Sequence, residues 1–186
     1  LGRGPYRHMP RPDRCGEGFE TRVVDLSRPA DVLWRDVRRS YHALIHRAEE
    51  HYDIRRAGSV EPLRALYALR RDLPQLSDRR WELLDDLARD GALRVYEAVP
   101  KESETPVGAV GVYAWKGWAY YGHGRSLEPG VSHLLQWHII TALKAEGFPY
   151  YEVGWVARDG DSEKERQIAY FKAGFGGGLG WVPVTE

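Results

Sequence analysis

Cysteine is nearly missing from this chain of 186 residues. Cys15 stands alone, so neither an intrachain disulfide nor a cysteine-based metal site can form. A lone thiol suits a reducing compartment, and the cytoplasm is the expected location. No apolar run approaches the roughly 18 residues of a membrane-spanning helix, and no secretory leader is visible. Net charge is lacking too: 27 Lys and Arg balance 27 Asp and Glu. That balance argues against a protein that coats nucleic acid by bulk attraction. Arginines crowd the first half (Arg3, Arg7, Arg11, Arg14, Arg35, Arg38, Arg39, Arg70, Arg71, Arg79, Arg80), but acids interleave with them, which reads as a solvated surface rather than an RNA track. The first residue is Leu1 rather than Met, so a fragment or a processed product is expected. What the chain does have is apolar and aromatic material, 42% and 12%, with 7 Trp and 11 Tyr. That supplies one sizeable domain, or one domain with an extra arm.

Phosphate and metal signatures are missing as well. The glycines at 174, 176, 177, 178 and 180 precede no Lys-Ser/Thr pair, so they form no P-loop. They do not open a helix after a strand, so a dinucleotide fingerprint fails. His42 and His46 are four apart on a helix and could share a face as zinc ligands do. The glutamate of His-Glu-x-x-His is absent and no acidic third ligand is placed by spacing, so a metal is not expected. His133 and His138 diverge and read as packing or surface residues. His123, beside Gly124 and Arg125, reads as a loop residue rather than a cleft base.

Period and punctuation divide the chain. Residues 1–20, with Pro5, Pro10 and Pro12 among arginines, read as an irregular arm, and residues 21–26 as a short strand. Leu33, Val37, Tyr41, Leu44 and Ala48 recur at three- and four-residue steps, which predicts one amphipathic helix from Asp31 to about Glu50. Gly58-Ser59 breaks it. A helix bearing Leu63, Leu66 and Tyr67 follows and ends before Pro74; Ser77 caps another, bearing Trp81, Leu84 and Leu87. The period then changes to two. Strands are predicted from Leu93, at 107–115, and at 118–122 after a Lys116-Gly117 turn. Ser132 is expected to cap a helix that is apolar on most sides (Leu134, Leu135, Trp137, Ile139, Ile140, Leu143) and therefore deeply buried. A strand at 149–155, a helix at 163–173 and a strand at 181–184 complete an α+β layout with a mostly antiparallel sheet.

Residues 169–177 are the most informative stretch: one lysine, Lys172, ends a helix beside a glycine-rich turn in an apolar setting. A glycine C-cap with a lysine favoured by the helix dipole explains the pattern without function. A cation at such a corner can also reach a cleft and meet a developing negative charge.

Three pieces resemble the second domain of the FemABX aminoacyltransferases and their BioF2-like acyltransferase relatives, which have a GNAT-like fold. The first is Leu33 and Trp34, with Arg39, Ser40, Tyr41, Ile45, Ala48 and Glu49, like the helix leaving that family's first domain. The second runs from Gly117-Trp118-Ala119-Tyr120-Tyr121-Gly122 through Leu134-Leu135-Gln136-Trp137 and Gly147 to Tyr151-Glu152-Val153-Gly154. The third is Phe171-Lys172-Ala173-Gly174-Phe175-Gly176-Gly177. The resemblance covers roughly residues 30–180. It implies a GNAT-like acyltransferase fold in 59–186, preceded by a connecting helix in 31–58 and an irregular arm in 1–30.

It also implies transfer of an aminoacyl or acyl group from an activated ester, aminoacyl-tRNA above all, to an amine such as one on a peptidoglycan precursor, without cofactor or metal. Lys172 would be the electrostatic catalyst. Phe171 would line the donor channel, with Tyr121, Arg125, Tyr151 and Phe175 as further substrate-binding residues; Tyr120, Tyr121 and Tyr151 are candidate proton relays. A free amine is itself the nucleophile, so no Ser or Cys is required; the protein orients the substrates and offsets the oxyanion. Two alternatives stay open. One is an acyl-CoA-dependent N-acetyltransferase, whose pyrophosphate loop would be residues 124–131, although Glu128 repels a phosphate and Pro129 removes a donor. The other is a non-catalytic module that pairs as a homodimer to rebuild a two-domain cleft.

Overall fold

The computed structural model describes residues 18–69, 75–156 and 160–183. Cys15, most of the expected arm, Pro74 and Val184 lie outside the described residues.

Strand alternation and buried helices assemble one mixed sheet. In chain order the elements are β1 (Gly18–Asp25), α1 (Ala30–Asp36), α2 (Arg39–His51), β2 (Tyr52–Ala57), α3 (Glu61–Leu69), α4 (Asp78–Arg89), β3 (Leu93–Pro100) and β4 (Gly108–Trp115). Then come β5 (Trp118–Ser126), α5 (Val131–Ala145), β6 (Tyr150–Trp155), α6 (Glu163–Ala173) and β7 (Gly178–Pro183). Among the described residues the sheet has 7 strands in the order β2-β3-β4-β5-β6-β1-β7. Every neighbour is antiparallel except β5 and β6. Those two are parallel because α5 connects them, and a parallel pair needs a long crossover. The fold is therefore α+β, as expected.

Alternation in β3 feeds both faces of the sheet. Tyr96 and Ala98 join the core under α1, α2 and α5; Leu93 and Val95 join a second core with α3 and α4. Within the first, Ile45, Leu135, Ile139 and Leu143 are fully buried. Burial of such a side chain is worth ~1.5–3 kcal/mol. The all-round apolar helix is buried for this reason.

Four expectations are corrected. The helix read as continuous from Asp31 is broken at Val37 and Arg38, both in extended backbone with ψ of 133° and 129°. The freed Arg38 N–H donates to the Gly174 carbonyl at 2.7 Å, and His42 Nε2 lies 3.0 Å from the carbonyls of Trp34 and Val37. Tertiary partners thus replace helical ones while the apolar stripe of Leu33, Val37 and Tyr41 runs on across the break. After α2 the segment becomes a strand, β2, paired with β3, so residues 31–58 are not one connecting helix; β1, from the end of the expected arm, lies between β6 and β7. Ser132 is not the cap of α5: Gly130 holds that position with a φ of 81° that glycine tolerates. Finally, β5 extends to Ser126, which places His123 in a strand. There the Tyr113 hydroxyl lies 3.1 Å from His123 Nε2, and burial, then Arg80 and Arg125, holds the imidazole pKa below its ordinary value.

Ser77 caps α4 as expected, accepting from the Arg80 N–H. Lys116 and Gly117, both with positive φ, make the β4–β5 hairpin turn. Ser162 and Glu165 form a capping box at α6.

Candidate active site at the open seam of the sheet

The site begins with a ladder that stops early. β5 pairs with β6 only at residues 118–120, against Tyr150, Tyr151 and Glu152. Beyond these the strands part, and each carries an irregularity near the parting. The β4–β5 register skips Gly122, and the β1–β6 register skips Val153. Such bulges bend a strand and increase its twist.

Lys172 reaches into this opening from the last turn of α6. It is buried, with 9% exposure. Its ammonium lies 4.9 Å from the centroid of the Tyr121 ring on β5. On the β6 side, a Cβ at Gly154 would come within 2.5 Å of Lys172 Nζ. Gly154 has a φ of +111°, so both backbone and space demand glycine there. Burial pulls the Lys172 pKa down to about 8, while the Glu152 carboxylate acts the other way and favours the ammonium. Glu152 is itself 2% exposed, and Thr21 Oγ1 of β1 donates to its Oε1 at 2.7 Å. Three strands and one helix thus hold one cation in a space of low polarity.

The end of α6 is pinned from α2. Tyr41 Oη donates to the Phe171 carbonyl at 3.3 Å, and Arg38 Nη2 donates to the Tyr170 carbonyl at 3.2 Å. Arg38 also donates to Tyr41 Oη at 2.7 Å and lies 3.7 Å over the Tyr170 ring. His133 packs edge-on to Tyr41 and Phe171, its pKa lowered by burial and by Arg38. A Cβ at Gly174 would strike the Tyr41 ring, so this glycine permits the close approach of α6 to α2.

Beside Lys172 lies a cavity of about 210 Å³, lined by Val110, Tyr121, Gly124, Arg125, Ser126, Ser132, Gln136 and Phe171. Three of the expected substrate-binding residues, Phe171, Tyr121 and Arg125, are brought together on its wall. Tyr151 is placed one layer deeper, fully buried, with its hydroxyl donating to Gln136 Oε1 at 2.9 Å. Burial raises both Tyr121, to about 12, and Tyr151, so both are neutral phenols. Phe175, 2% exposed, belongs to the core with Tyr41 and is not on the cavity wall. His42 is stacked on Trp34 at 4.1 Å.

Glu152, Thr21, Gly154 and Gln136 join the site without having been expected there. Glu152 had a usable signal, an acid inside an aromatic and apolar strand. Thr21 had none, because its role depends on β1 lying beside β6.

Solved structures share this architecture. FemX superposes with a TM-score of 0.74 at 12% identity, over 89% of this chain and 61% of that one. The fold is that of the FemABX and GNAT-like acyltransferases. L-PGS from Bacillus licheniformis (TM-score 0.62, 14% identity) matches 96% of this chain, as does the C-terminal domain of a putative lysylphosphatidylglycerol synthetase from Agrobacterium fabrum (TM-score 0.61, 10% identity). This chain spans about 60% of the length of each. No family model and no curated protein matches the sequence. Among the described residues no helix is long and apolar enough to cross a membrane.

Proposed function

We propose that the chain is an N-acyltransferase of FemABX type, moving an aminoacyl or acyl group from an activated ester to an amine. Aminoacyl-tRNA is the donor this reading favours, and an amine on a cell-wall precursor the acceptor. The carrying observation is the buried ammonium of Lys172 at the open seam of an acyltransferase fold. A fold shared with FemX and with a protein named for lysylphosphatidylglycerol synthesis supports the reading.

The chemistry asks little else of the protein. The acceptor amine attacks the ester carbon, a C–N bond forms, and the carbonyl oxygen becomes an oxyanion. Collapse breaks the C–O bond, and the departing oxygen takes up the proton that the amine releases. Lys172 meets the oxyanion, and Glu152, held by Thr21, keeps the lysine charged despite its burial. A cation in a dry site is worth far more than in water, and loss of one such group costs about 10²–10³ in rate.

Replacement of Lys172 by Met lowers transfer by about 10²–10³ with the fold intact. Unchanged turnover in that variant overturns the assignment. In wild type the ammonium is the active form, so the lysine's share of the rate falls as pH rises through about 8. Lys172→Arg stays charged there and loses that descending limb. A limb that persists in the arginine variant belongs to another group. Calorimetry with aminoacyl-tRNA beside acetyl-CoA separates the donor classes.

A further inference from the structure

The cavity beside Lys172 has a chemical bias. Gln136 is 97% buried on its wall, and its Oε1 is taken by the Tyr151 hydroxyl. With the carbonyl end so occupied, the amide Nε2 is the end left over, and it has no hydrogen-bond partner among the described residues. The Tyr121 hydroxyl sits where a Cβ on Gly124 would fall, so it too belongs to the cavity wall. Arg125 stands beside them, its guanidinium stacked 4.0 Å over the Tyr67 ring. The Ser126 and Ser132 hydroxyls complete the rim, hydrogen-bonded to each other at 2.6 Å. Donors outnumber acceptors, and among the described residues no carboxylate lines the space.

We infer that this cavity receives the far end of the transferred group, and that it selects an end bearing acceptor oxygens, a carboxylate or a carboxamide, over an apolar or ammonium end. This rests on the acyl-transfer reading above. An apolar end would leave the Gln136 amide and the Tyr121 hydroxyl dry and unpaired, which a buried polar group tolerates poorly. An ammonium would find no carboxylate among the described lining residues and would stand in the positive field of Arg125, which is felt at the Tyr121 hydroxyl. A carboxylate accepts from the Gln136 amide and the Tyr121 hydroxyl and is favoured by the nearby Arg125 charge. The volume, about 210 Å³, suits a short chain. The Tyr121 ring lies on the cavity wall and also faces the Lys172 ammonium at 4.9 Å, so one aromatic ring joins the lysine to the space beside Gln136.

Saturation-transfer NMR on the full chain tests this with four methyl esters of similar length, ending in carboxylate (monomethyl glutarate), carboxamide (methyl 5-amino-5-oxopentanoate), methyl (methyl hexanoate) and ammonium (methyl 5-aminopentanoate). The first two bind, and the last two bind at least tenfold more weakly. Gln136→Leu loses the selectivity. Gln136→Glu places a carboxylate on the wall and reverses the preference toward the ammonium ester. If either variant fails to fold by circular dichroism, Arg125→Gln serves instead and weakens the carboxylate ester more than the carboxamide. Equal binding of the hexanoate ester to wild type, or selectivity unchanged in the folded variants, overturns the inference. Binding is read without turnover, so the two readings fail separately. Selective binding by a protein that transfers nothing sinks the acyl-transfer reading and leaves the subsite; efficient transfer of apolar acyl groups alone sinks the subsite and leaves the transferase.

Discussion

Strand β5 has two edges. Toward β4 its ladder runs from the Lys116-Gly117 turn at Trp118 to Ser126; toward β6 it stops after Tyr120. Both edges are made from the same residues, so residue type does not explain the difference. The closed edge is a hairpin, where a two-residue turn sets the register and each pair aligns the next. The open edge is a parallel pairing closed by α5, and nothing local holds its far end together. The gap is occupied by Lys172, contributed by α6, with Glu152 and Thr21 beneath it. A sheet can therefore keep a stiff frame on one side of a strand and leave the other side open as a candidate active site.

The largest effect that tests this contrast is in the pH dependence of stability. Lys172 has a folded pKa of about 8 against an ordinary lysine value of 10.5. Between these values the unfolded chain binds more protons, so this residue's contribution favours folding increasingly as pH rises toward 10.5 and is lost as pH falls through 8. The difference corresponds to ~3 kcal/mol. Lys172→Met lacks it, so the denaturant-derived stability gap between the two proteins changes by about that much from pH 8 to 10.5. The buried tyrosines, raised above 10 by desolvation, titrate alike in both proteins and cancel. A gap that stays constant means the ammonium is not desolvated and the open seam is wet.

A pair of glycine substitutions compares the seams directly. Gly154→Ala forces a positive φ on an L-residue and drives a methyl into Lys172 Nζ. We expect ~1–3 kcal/mol of destabilisation and a loss of transfer, because the amine must move. Gly111→Ala, on the closed seam, presses on the tips of Leu63 and Leu93, at 3.1 and 3.3 Å, and reaches His123 Cβ at an ordinary 3.8 Å. It costs about 1 kcal/mol and leaves transfer unchanged. Equal effects on transfer would erase the contrast. The smallest effect belongs to Tyr41→Phe, which removes the hydroxyl that Arg38 and the Phe171 carbonyl share. It lowers stability by ~0.5–1.5 kcal/mol and weakens transfer modestly through the position of α6. Transfer falling as far as in Lys172→Met would make Tyr41 part of the chemistry instead.

Much of the frame was legible in the residues. Alternation marked β3, apolar runs bounded by turn residues marked β4 and β6, and an all-round apolar run marked α5, because burial on one face or on both demands those patterns. Lys172 stood out by composition, a single cation in an aromatic and glycine-rich corner. The break before α2 was hidden, since its apolar stripe keeps phase across Val37 and Arg38 while the decisive hydrogen bond comes from Gly174, far along the chain. The cap of α5 was hidden by a plausible serine, Ser132, two residues after the glycine, Gly130, that held the needed φ.

By itself, then, the order of residues determined most of the elements, though not β2 or the break before α2, together with the chemistry available at the end of α6 and the class of sheet, because hydrophobic period, turn glycines and a lysine at a helix end act over a few residues. Tertiary structure alone decided that the lysine is buried, that Glu152 and Thr21 sit beneath it, and that Gln136 turns its amide toward a cavity. Those outcomes depend on strand order. β1 lies beside β6, and β5 parts from β6, only once residues more than a hundred positions apart have packed together, and no local signal carries that information.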